Sequence, residues 1–423
     1  MNHQNENIRG RRFFRWTCQE FEHEDCNELL REEGFRFNRV PQVPGAWFEH
    51  EGPFALGGSL ANYFGLMYIQ DLASMLPALL LNPCEGSRVL DMCASPGGKT
   101  AQLSEMSGKT GLVVANEPNS RRNETLRANV NRLNLVNVAI TGYEGQVLPG
   151  KDIFFDYILV DAPCSGWGTV DKHPEVLKMW TDEKTGPLIE LQKRLLISAS
   201  ELLSPGGTLV YSTCTTNEQE NRKQVEMILD RSDLITSQRA EKLRRDLALP
   251  GLRQAGEGML NFDGRKMGAQ SFFMAALEKP GKIEQATDID LSPPHNWEPV
   301  DPGVFRIGEK PRHAGFYVFR DRVFVLQHEV LPYARQGLKV RGYYAGKRTG
   351  RKFLLSPRLR VFGDKNPEKG YRVDSVHEAR GIVSGQSIYP PGSTEAEQTG
   401  FYFRDLLLGW LKAVRGRVFW SEK

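Results

Sequence analysis

Five short and almost continuously apolar runs between residues 88 and 214 constrain this 423-residue chain more than any other feature. They read RVLDMC (88–93), GLVVAN (111–116), VAIT (138–141), FDYILVD (155–161) and GTLVYSTC (207–214). A strand with one exposed face alternates polar and apolar residues, so a run without alternation belongs to a strand covered on both faces. Helical spacing occupies 120–133 and 189–203, the second stretch being stopped by Pro205-Gly206-Gly207. A further helix is expected over 217–229, and AQSFFMAALE (269–278) supplies a closing strand. Strands alternating with helices predict an α/β fold built on an open, mostly parallel sheet.

The composition, 40% apolar and 25% charged, argues against a disordered or fibrous chain. At about 150 residues per domain, the length predicts two or three domains. The sheet pattern places one at 85–280, preceded by an α+β extension at 1–84. Residues 281–302, with Pro293, Pro294 and Pro299, read as a linker. Residues 303–423 read as a small β-rich module with strands near 315–319, 323–327, 353–355 and 371–373. No apolar run reaches 18 residues, and no apolar core follows the basic segment at 9–15. Neither a membrane span nor a secretory signal is therefore expected. Six cysteines without a C-x-x-C pair predict reduced thiols in a cytoplasmic protein, with no structural metal site.

The segment Asp91-Met92-Cys93-Ala94-Ser95-Pro96-Gly97-Gly98-Lys99-Thr100 forms the first strand-to-helix turn, where open α/β sheets bind ligands. Glycines there let the backbone approach a ligand closely. The spacing is neither that of a P-loop nor G-x-G-x-x-G, which disfavours a phosphate cofactor. Glu117, after the second run, is placed to accept both hydroxyls of a ribose.

This loop resembles the first motif of the S-adenosylmethionine-dependent RNA cytosine-5 methyltransferases of the Nop/Sun family. The match continues through Asp161-Ala162-Pro163-Cys164-Ser165-Gly166, Tyr211-Ser212-Thr213-Cys214-Thr215 and Glu220-Asn221. Tyr68-Ile69-Gln70-Asp71-Leu72-Ala73-Ser74-Met75 is similar to that family's pre-sheet helix. The C-terminal third is more loosely similar to the PUA-type module of the bacterial RsmF-like branch, which acts on ribosomal RNA. The resemblance implies a class I, Rossmann-like methyltransferase sheet with S-adenosylmethionine as cofactor. It assigns Cys93, Ala94, Ser95, Pro96, Gly97, Gly98 and Lys99 to the methionine part of the cofactor, and Glu117 to its ribose. Glu144 stands where the family usually carries an Asp beside the adenine, a departure with a longer side chain. Asp161 falls between the cofactor and the target base.

Carbon 5 of cytosine is too electron-poor to attack a methyl group. A nucleophile added at carbon 6 makes carbon 5 enamine-like, and a thiolate suits the task because it adds readily and leaves again. A free thiol ionises only near about pH 8.5, so the site must assist it. A second group must remove the carbon 5 hydrogen before the thiol is expelled. Cys164 and Cys214 both lie just beyond predicted strand ends, on the side of the cofactor loop. Spacing alone leaves their roles open. The family resemblance makes Cys214 the nucleophile and Cys164 the group promoting elimination and release. DNA cytosine-5 methyltransferases instead attack from a Pro-Cys motif, which by analogy would make Cys164 the nucleophile. The Tyr-Ser-Thr-Cys-Thr context favours Cys214. Asp161 is expected to hydrogen-bond the amino edge of the cytosine, and Lys99 to neutralise a carboxylate of the cofactor or of Asp161. Cys18, Cys26 and Cys84 carry no such context and read as structural, and Cys93 as lining the cofactor loop.

The net charge of +3 hides an asymmetry. Residues 1–300 carry 32 basic and 40 acidic side chains, and residues 301–423 carry 23 and 12. A split of −8 against +11 points to a polyanionic partner for the C-terminal third. Nine basic residues and no acidic one lie between Val330 and Phe362. Of these, Arg335, Lys339, Arg341, Lys347, Arg348, Arg351 and Lys352 are the candidate RNA contacts, followed by Arg358 and Arg360. Tyr343, Tyr344 and Phe353 interleave with them as stacking faces for unpaired bases. Lys412, Arg415 and Arg417, with Trp410 and Trp420, either extend the patch or belong to a terminal helix. A base must be unpaired or flipped out to meet Cys214, so recognition of local RNA shape is expected. The sequence thus reads as an RNA cytosine-5 methyltransferase acting on ribosomal RNA. The alternatives are transfer RNA as substrate, or an inactive RNA-binding assembly factor, against which the retention of both cysteines counts.

Overall fold

The structure is a computed structural model that describes residues 12–18, 20–149, 154–170, 184–283, 292–294, 297–305, 311–350, 352–363, 368, 370–390 and 398–422. The chain begins with β1 (Arg12–Trp16), α1 (His23–Glu32), β2 (Arg36–Arg39), β3 (Ala46–Glu51), α2 (Leu60–Tyr63) and β4 (Met67–Ile69). The four strands form an antiparallel sheet in the order β2-β3-β1-β4. Asp71 then caps α3 (Leu72–Leu81), its Oδ1 accepting the Ala73 N–H at 3.0 Å. With the sequence LASMLPALLL, α3 is almost entirely apolar and packs onto the central sheet, in a core that Phe13 and Ala46 of the N-terminal sheet also enter.

That sheet is built from β5 (Arg88–Asp91), β6 (Leu112–Asn116), β7 (Val138–Thr141), β8 (Phe155–Asp161), β9 (Leu203–Thr213), β10 (Ile235–Thr236), β11 (Leu252–Gly256), β12 (Met259–Phe262) and β13 (Phe272–Glu278). Helices α4 (Gly98–Ser107), α5 (Ser120–Arg132), α6 (Gly186–Leu202), α7 (Arg222–Arg231) and α8 (Arg239–Leu247) are interleaved with the strands. The order is β11-β12-β13-β9-β8-β5-β6-β7, with β10 pairing β13. From β9 to β7 all neighbours are parallel, and β13 joins β9 antiparallel. Consecutive residues of one strand enter different cores: Val89 and Leu159 lie on the side of α3 and α4, Leu90 and Ile158 on the side of α6. Both faces are covered, which is why these strands show no alternation. The order reverses at β5, between β8 and β6, and ligand crevices form at such switch points.

Two expectations about elements need correction. The helix expected from residue 217 starts at Arg222, because the side chains of Thr215, Asn217 and Asn221 bond to nearby backbone and hold 215–221 in turns. The residues around Lys412 form no helix; they belong to a β-hairpin, as the next sheet shows.

The C-terminal third holds two sheets. Strands β14 (Glu298–Val300), β15 (Ala314–Phe319), β16 (Arg322–Gln327), β17 (Tyr343–Thr349) and β18 (Lys352–Leu355) form an antiparallel sheet in sequence order, with α9 (Leu331–Arg335) between β16 and β17. The strand β14 lies inside the stretch read as a linker. The second sheet orders β19 (Tyr371–Val373), β20 (Gln398–Phe403), β21 (Leu406–Val414) and β22 (Arg417–Phe419), with α10 (Val376–Val383) beside it. Lys412 and Arg417 lie on the β21–β22 hairpin and Arg415 in its turn. Val373, Phe401, Leu408 and Trp420 of this sheet share one core with Phe14, Leu29 and Phe64 of the N-terminal sheet.

Candidate active site

The cofactor loop leaves β5 at Asp91, whose carboxylate is buried; Oδ2 accepts the Thr100 hydroxyl at 2.7 Å, and Oδ1 has no hydrogen-bond partner among the described residues. Burial lifts the Asp91 carboxyl to about 7, against the opposing bond from Thr100. Gly97 turns the chain with φ of 110°. A Cβ on Gly98 would stand 2.7 Å from Tyr68 Cε1, so the helix start is packed too tightly for a side chain. A cavity of about 210 Å³ opens here, lined by Cys93, Ala94, Ser95, Pro96, Gly98 and Lys99 of the loop and by Asp91 and Asp161. An orphaned carboxylate oxygen beside a glycine-lined helix start fits the amino and carboxylate groups of an amino-acid ligand. Burial, with the nearby carboxylates of Asp91, Asp161 and Glu117, pushes the Cys93 thiol well up, which leaves it protonated.

Glu117 follows β6 and is almost fully buried, one oxygen accepting the Asn119 N–H at 3.0 Å and the other 3.4 Å from Arg122. Glu144 is exposed and accepts from Gln146 at 2.7 Å. Neither lines the 210 Å³ cavity. Asn116 was not singled out from the sequence. It donates to Met92 O at 3.1 Å and Tyr143 O at 2.8 Å, tying together the loops after β5 and β7.

Cys164 and Cys214, fifty residues apart in sequence, stand with Sγ atoms 3.2 Å apart. The hydrogen bond from Cys164 lowers the Cys214 thiol below its ordinary value, against burial, while the same bond and burial raise Cys164. Of the two, Cys214 is therefore the easier to ionise and Cys164 the one that tends to keep its proton. Lys99 Nζ donates to Asp161 Oδ2 at 2.7 Å and to Ser74 Oγ at 2.8 Å, lying 5.1 Å from the centroid of the Phe272 ring. Ser212 donates to Asp161 Oδ1 at 2.7 Å. Both carboxylate oxygens are thus oriented; the Asp161 charge opposes ionisation of Cys214, and the Lys99 charge beside it partly offsets that. Ser74 and Ser212 lie within the quoted motifs, yet nothing in their spacing indicates that they hold Lys99 and Asp161.

A buried carboxylate stands behind the thiols. Glu220 accepts the Ser165 N–H at 2.9 Å, the Ser165 hydroxyl at 2.5 Å, Gln192 Nε2 at 3.0 Å and Asn217 Nδ2 at 3.2 Å. Ser165 and Thr215 hydroxyls meet at 2.7 Å, so the residues following each cysteine are bonded to one another. Gly168 donates its N–H to Cys214 O at 2.9 Å, and a Cβ there would stand 2.8 Å from that oxygen. The loop after Cys164 is thereby fixed against Cys214.

A family model described as 16S rRNA methyltransferase RsmB/F matches residues 78–278. Ribosomal RNA small subunit methyltransferase F of Aeromonas hydrophila subsp. hydrophila is 32% identical over 415 residues, covering 91% of this chain and 84% of that protein. The chain belongs to the RsmB/F family. The F methyltransferase of Cronobacter sakazakii is 37% identical over 262 residues, 59% of this chain and 53% of that protein. The chain spans about half the length of that and other curated RsmB/F relatives it matches. Among solved structures, a methyltransferase homolog protein from Pyrococcus horikoshii is 29% identical, with a TM-score of 0.52 over 63% of this chain and 86% of that one. NSun6 from the same organism, solved with SFG, is 21% identical with a TM-score of 0.55 over 64% and 91%, which shows a shared fold.

The basic residues of this RsmB/F chain divide. Arg335 donates to Ser292 O at 2.5 Å, and Arg348 Nη1 to both carboxylate oxygens of Glu298 at 2.8 Å. Lys339, Arg341, Lys347 and Lys352 are exposed, and Arg351 lies outside the described residues. Arg358 and Arg360 instead turn inward, donating to Tyr63 O at 2.5 Å and Gly65 O at 3.1 Å. Tyr343 is wholly buried, because β17 alternates and its inward positions fill the core; it offers no stacking face. Phe353 packs edge-on against Phe305. Cys18 and Cys26, which carried no context, also meet, at 3.1 Å, and the bond from Cys26 brings the Cys18 thiol down to about 7.

Proposed function

We propose that this protein transfers a methyl group from S-adenosylmethionine to carbon 5 of a cytosine in ribosomal RNA, through a covalent bond to Cys214. The observation carrying the reading is the 3.2 Å thiol pair, set beside the Lys99–Asp161 ion pair. Cys93 to Lys99, with Asp91, would hold S-adenosylmethionine, which would supply an electrophilic methyl on a sulfonium. Cys214 adds to carbon 6 of the base as a thiolate. Asp161, oriented by Ser212 and Lys99, hydrogen-bonds the amino edge of the attacked ring. Cys164, 3.2 Å from Cys214, is placed to promote expulsion of the Cys214 thiolate once the carbon 5 hydrogen has left as a proton to water. The family names of the relatives support ribosomal RNA as the substrate over transfer RNA, and such a substrate fits a cytoplasmic enzyme.

Incubation with tritiated S-adenosylmethionine and the host's ribosomal RNA should label that RNA at carbon 5 of a cytosine. Cys214→Ala should give neither methylation nor adduct, and Cys164→Ala should accumulate a protein–RNA adduct that survives denaturation. An adduct appearing with Cys214→Ala would reverse the two roles, and no label in any RNA would overturn the assignment.

A further inference from the structure

The five-stranded sheet β14–β18 has two faces, and only one is its core. Phe316, Val318, Val323, Val325 and Tyr343 are buried on the inner face. An antiparallel sheet with one buried face ordinarily turns polar side chains outward. Here the outward positions are aromatic: Tyr317 and Phe319 on β15 stand beside Phe324 on β16, and Tyr317 pairs directly with Phe324. One end of this outer face docks on the central sheet, where Tyr317 and Leu326 enter the core containing Phe155 and Tyr211. The other end is open, for Phe319 is 46% exposed and Phe324 and Trp297 are only half-buried. Trp297 leans over Tyr317 with ring centroids 5.5 Å apart. A cavity of about 540 Å³ lies between these rings and residues 337–342, a size that holds a nucleoside.

Cations border it. Lys339 and Arg341 both line the cavity and are exposed. Their backbone is held to β7: Arg341 and Ile140 exchange two hydrogen bonds of 2.8 Å, and Lys339 O accepts the Thr141 hydroxyl at 3.0 Å. The Arg320 guanidinium lies 5.7 Å from the Phe319 ring. Open aromatic faces ringed by fixed cations match a base with its flanking phosphates better than an uncharged peptide or a lipid chain. We propose that this cavity stacks an unpaired base of the RNA substrate on Phe319, Phe324 and Trp297, with Lys339 and Arg341 on the adjoining phosphates. The inference rests on the RNA reading above and adds a second point of contact to it. Tyr143, which follows β7 and precedes Glu144, donates to Gly337 O at 3.4 Å, so the cavity lies beside the carboxyl end of β7. Four strand spacings of about 4.8 Å separate β7 from β9, roughly 19 Å in all. The stacked base is therefore a few nucleotides away from the one that Cys214 attacks.

Binding of the full chain to a short unstructured RNA and to the same backbone with its bases removed tests this. Wild type should prefer the RNA with bases by about tenfold, and Phe319→Ala and Phe324→Ala should each lose most of that preference. Phe319 is exposed, so its loss leaves folding intact. Lys339→Gln and Arg341→Gln should keep the preference and make binding less salt-dependent. Full base preference in Phe319→Ala and Phe324→Ala would overturn the proposal. So would RNA binding unchanged in those variants with loss of binding to a ribosomal protein, which would make the cavity a protein dock. Failure of wild type to methylate any RNA would overturn the enzymatic reading instead, and the base preference remains measurable in that case.

Discussion

At the scale of single residues, the site turns on where one proton sits. Two half-buried thiols 3.2 Å apart do not ionise together, and the one that keeps its proton becomes the donor that stabilises the other. The hydrogen bond from Cys164 lowers Cys214 against burial and the Asp161 charge, so its thiolate fraction should rise with pH through an inflection below the ordinary thiol value of 9.0. Cys164→Ala removes the donor. The sign is fixed: a thiolate that loses a hydrogen bond becomes harder to form, so the inflection must move to higher pH. Site-resolved alkylation of Cys214 against pH reads this directly, without RNA. An inflection that stays put or falls in Cys164→Ala would show that the proton does not rest on Cys164. The identities of these residues were legible in the sequence because each sits in a contiguous motif string. Their supports were not: Ser74 reaches Lys99 across 25 residues and Ser212 reaches Asp161 across 51, and no local pattern encodes such contacts.

At the scale of elements, the two cysteine loops are held in register by Glu220, which precedes α7, and by Gln192 on α6. Gln192 donates to Pro163 O at 2.8 Å as well as to Glu220, and Tyr211 on β9 donates to the Glu220 carbonyl at 2.6 Å. Glu220→Gln replaces one accepting oxygen with a donor facing donors, which leaves a buried N–H or hydroxyl unpaired at about 1–3 kcal/mol. The loops then shift relative to each other, and displacements near 1 Å at reacting groups cost about 100-fold in rate. The expected result is a kcat lowered to that extent with S-adenosylmethionine affinity unchanged, partly rescued by Glu220→Asp. Equal losses in cofactor binding and kcat would indicate general unfolding instead. The central strands were legible because burial on both faces leaves uninterrupted apolar runs. Strands such as β11 (LRQAG) and β17 (YYAGKRT) were not, since their composition is polar and their pairing partners decide their conformation. Charge alone likewise does not reveal that Arg358 and Arg360, at the end of the basic run, turn inward toward Tyr63 and Gly65.

At the scale of the whole molecule, the charge asymmetry suggests a detachable C-terminal RNA module, and the packing argues otherwise. Tyr333 on α9 stacks on Phe155 at 5.4 Å, and its hydroxyl donates to Phe154 O at 3.1 Å. Arg380 pairs with the buried Glu33, and Arg404 pairs with Glu28 and Glu32 on α1. Trp420, three residues from the end of the chain, donates its indole N–H to the Tyr63 hydroxyl at 2.8 Å and packs edge-on against Phe64 at 5.4 Å. Removing residues 301–423 would expose Phe14, Leu29 and Phe64 together, so that truncation should give an aggregating protein and says nothing about RNA. The informative change is smaller. Trp420→Ala, which leaves the 210 Å³ cavity and both thiols untouched, should destabilise the chain by about 3 kcal/mol. Because one core joins the first and last sheets, probes in the N-terminal sheet and in the C-terminal sheet should then melt together at the same lowered temperature. If only the C-terminal probe shifted, the two sheets would be separate folding units, and deletion of the basic third would become a valid test of RNA binding after all.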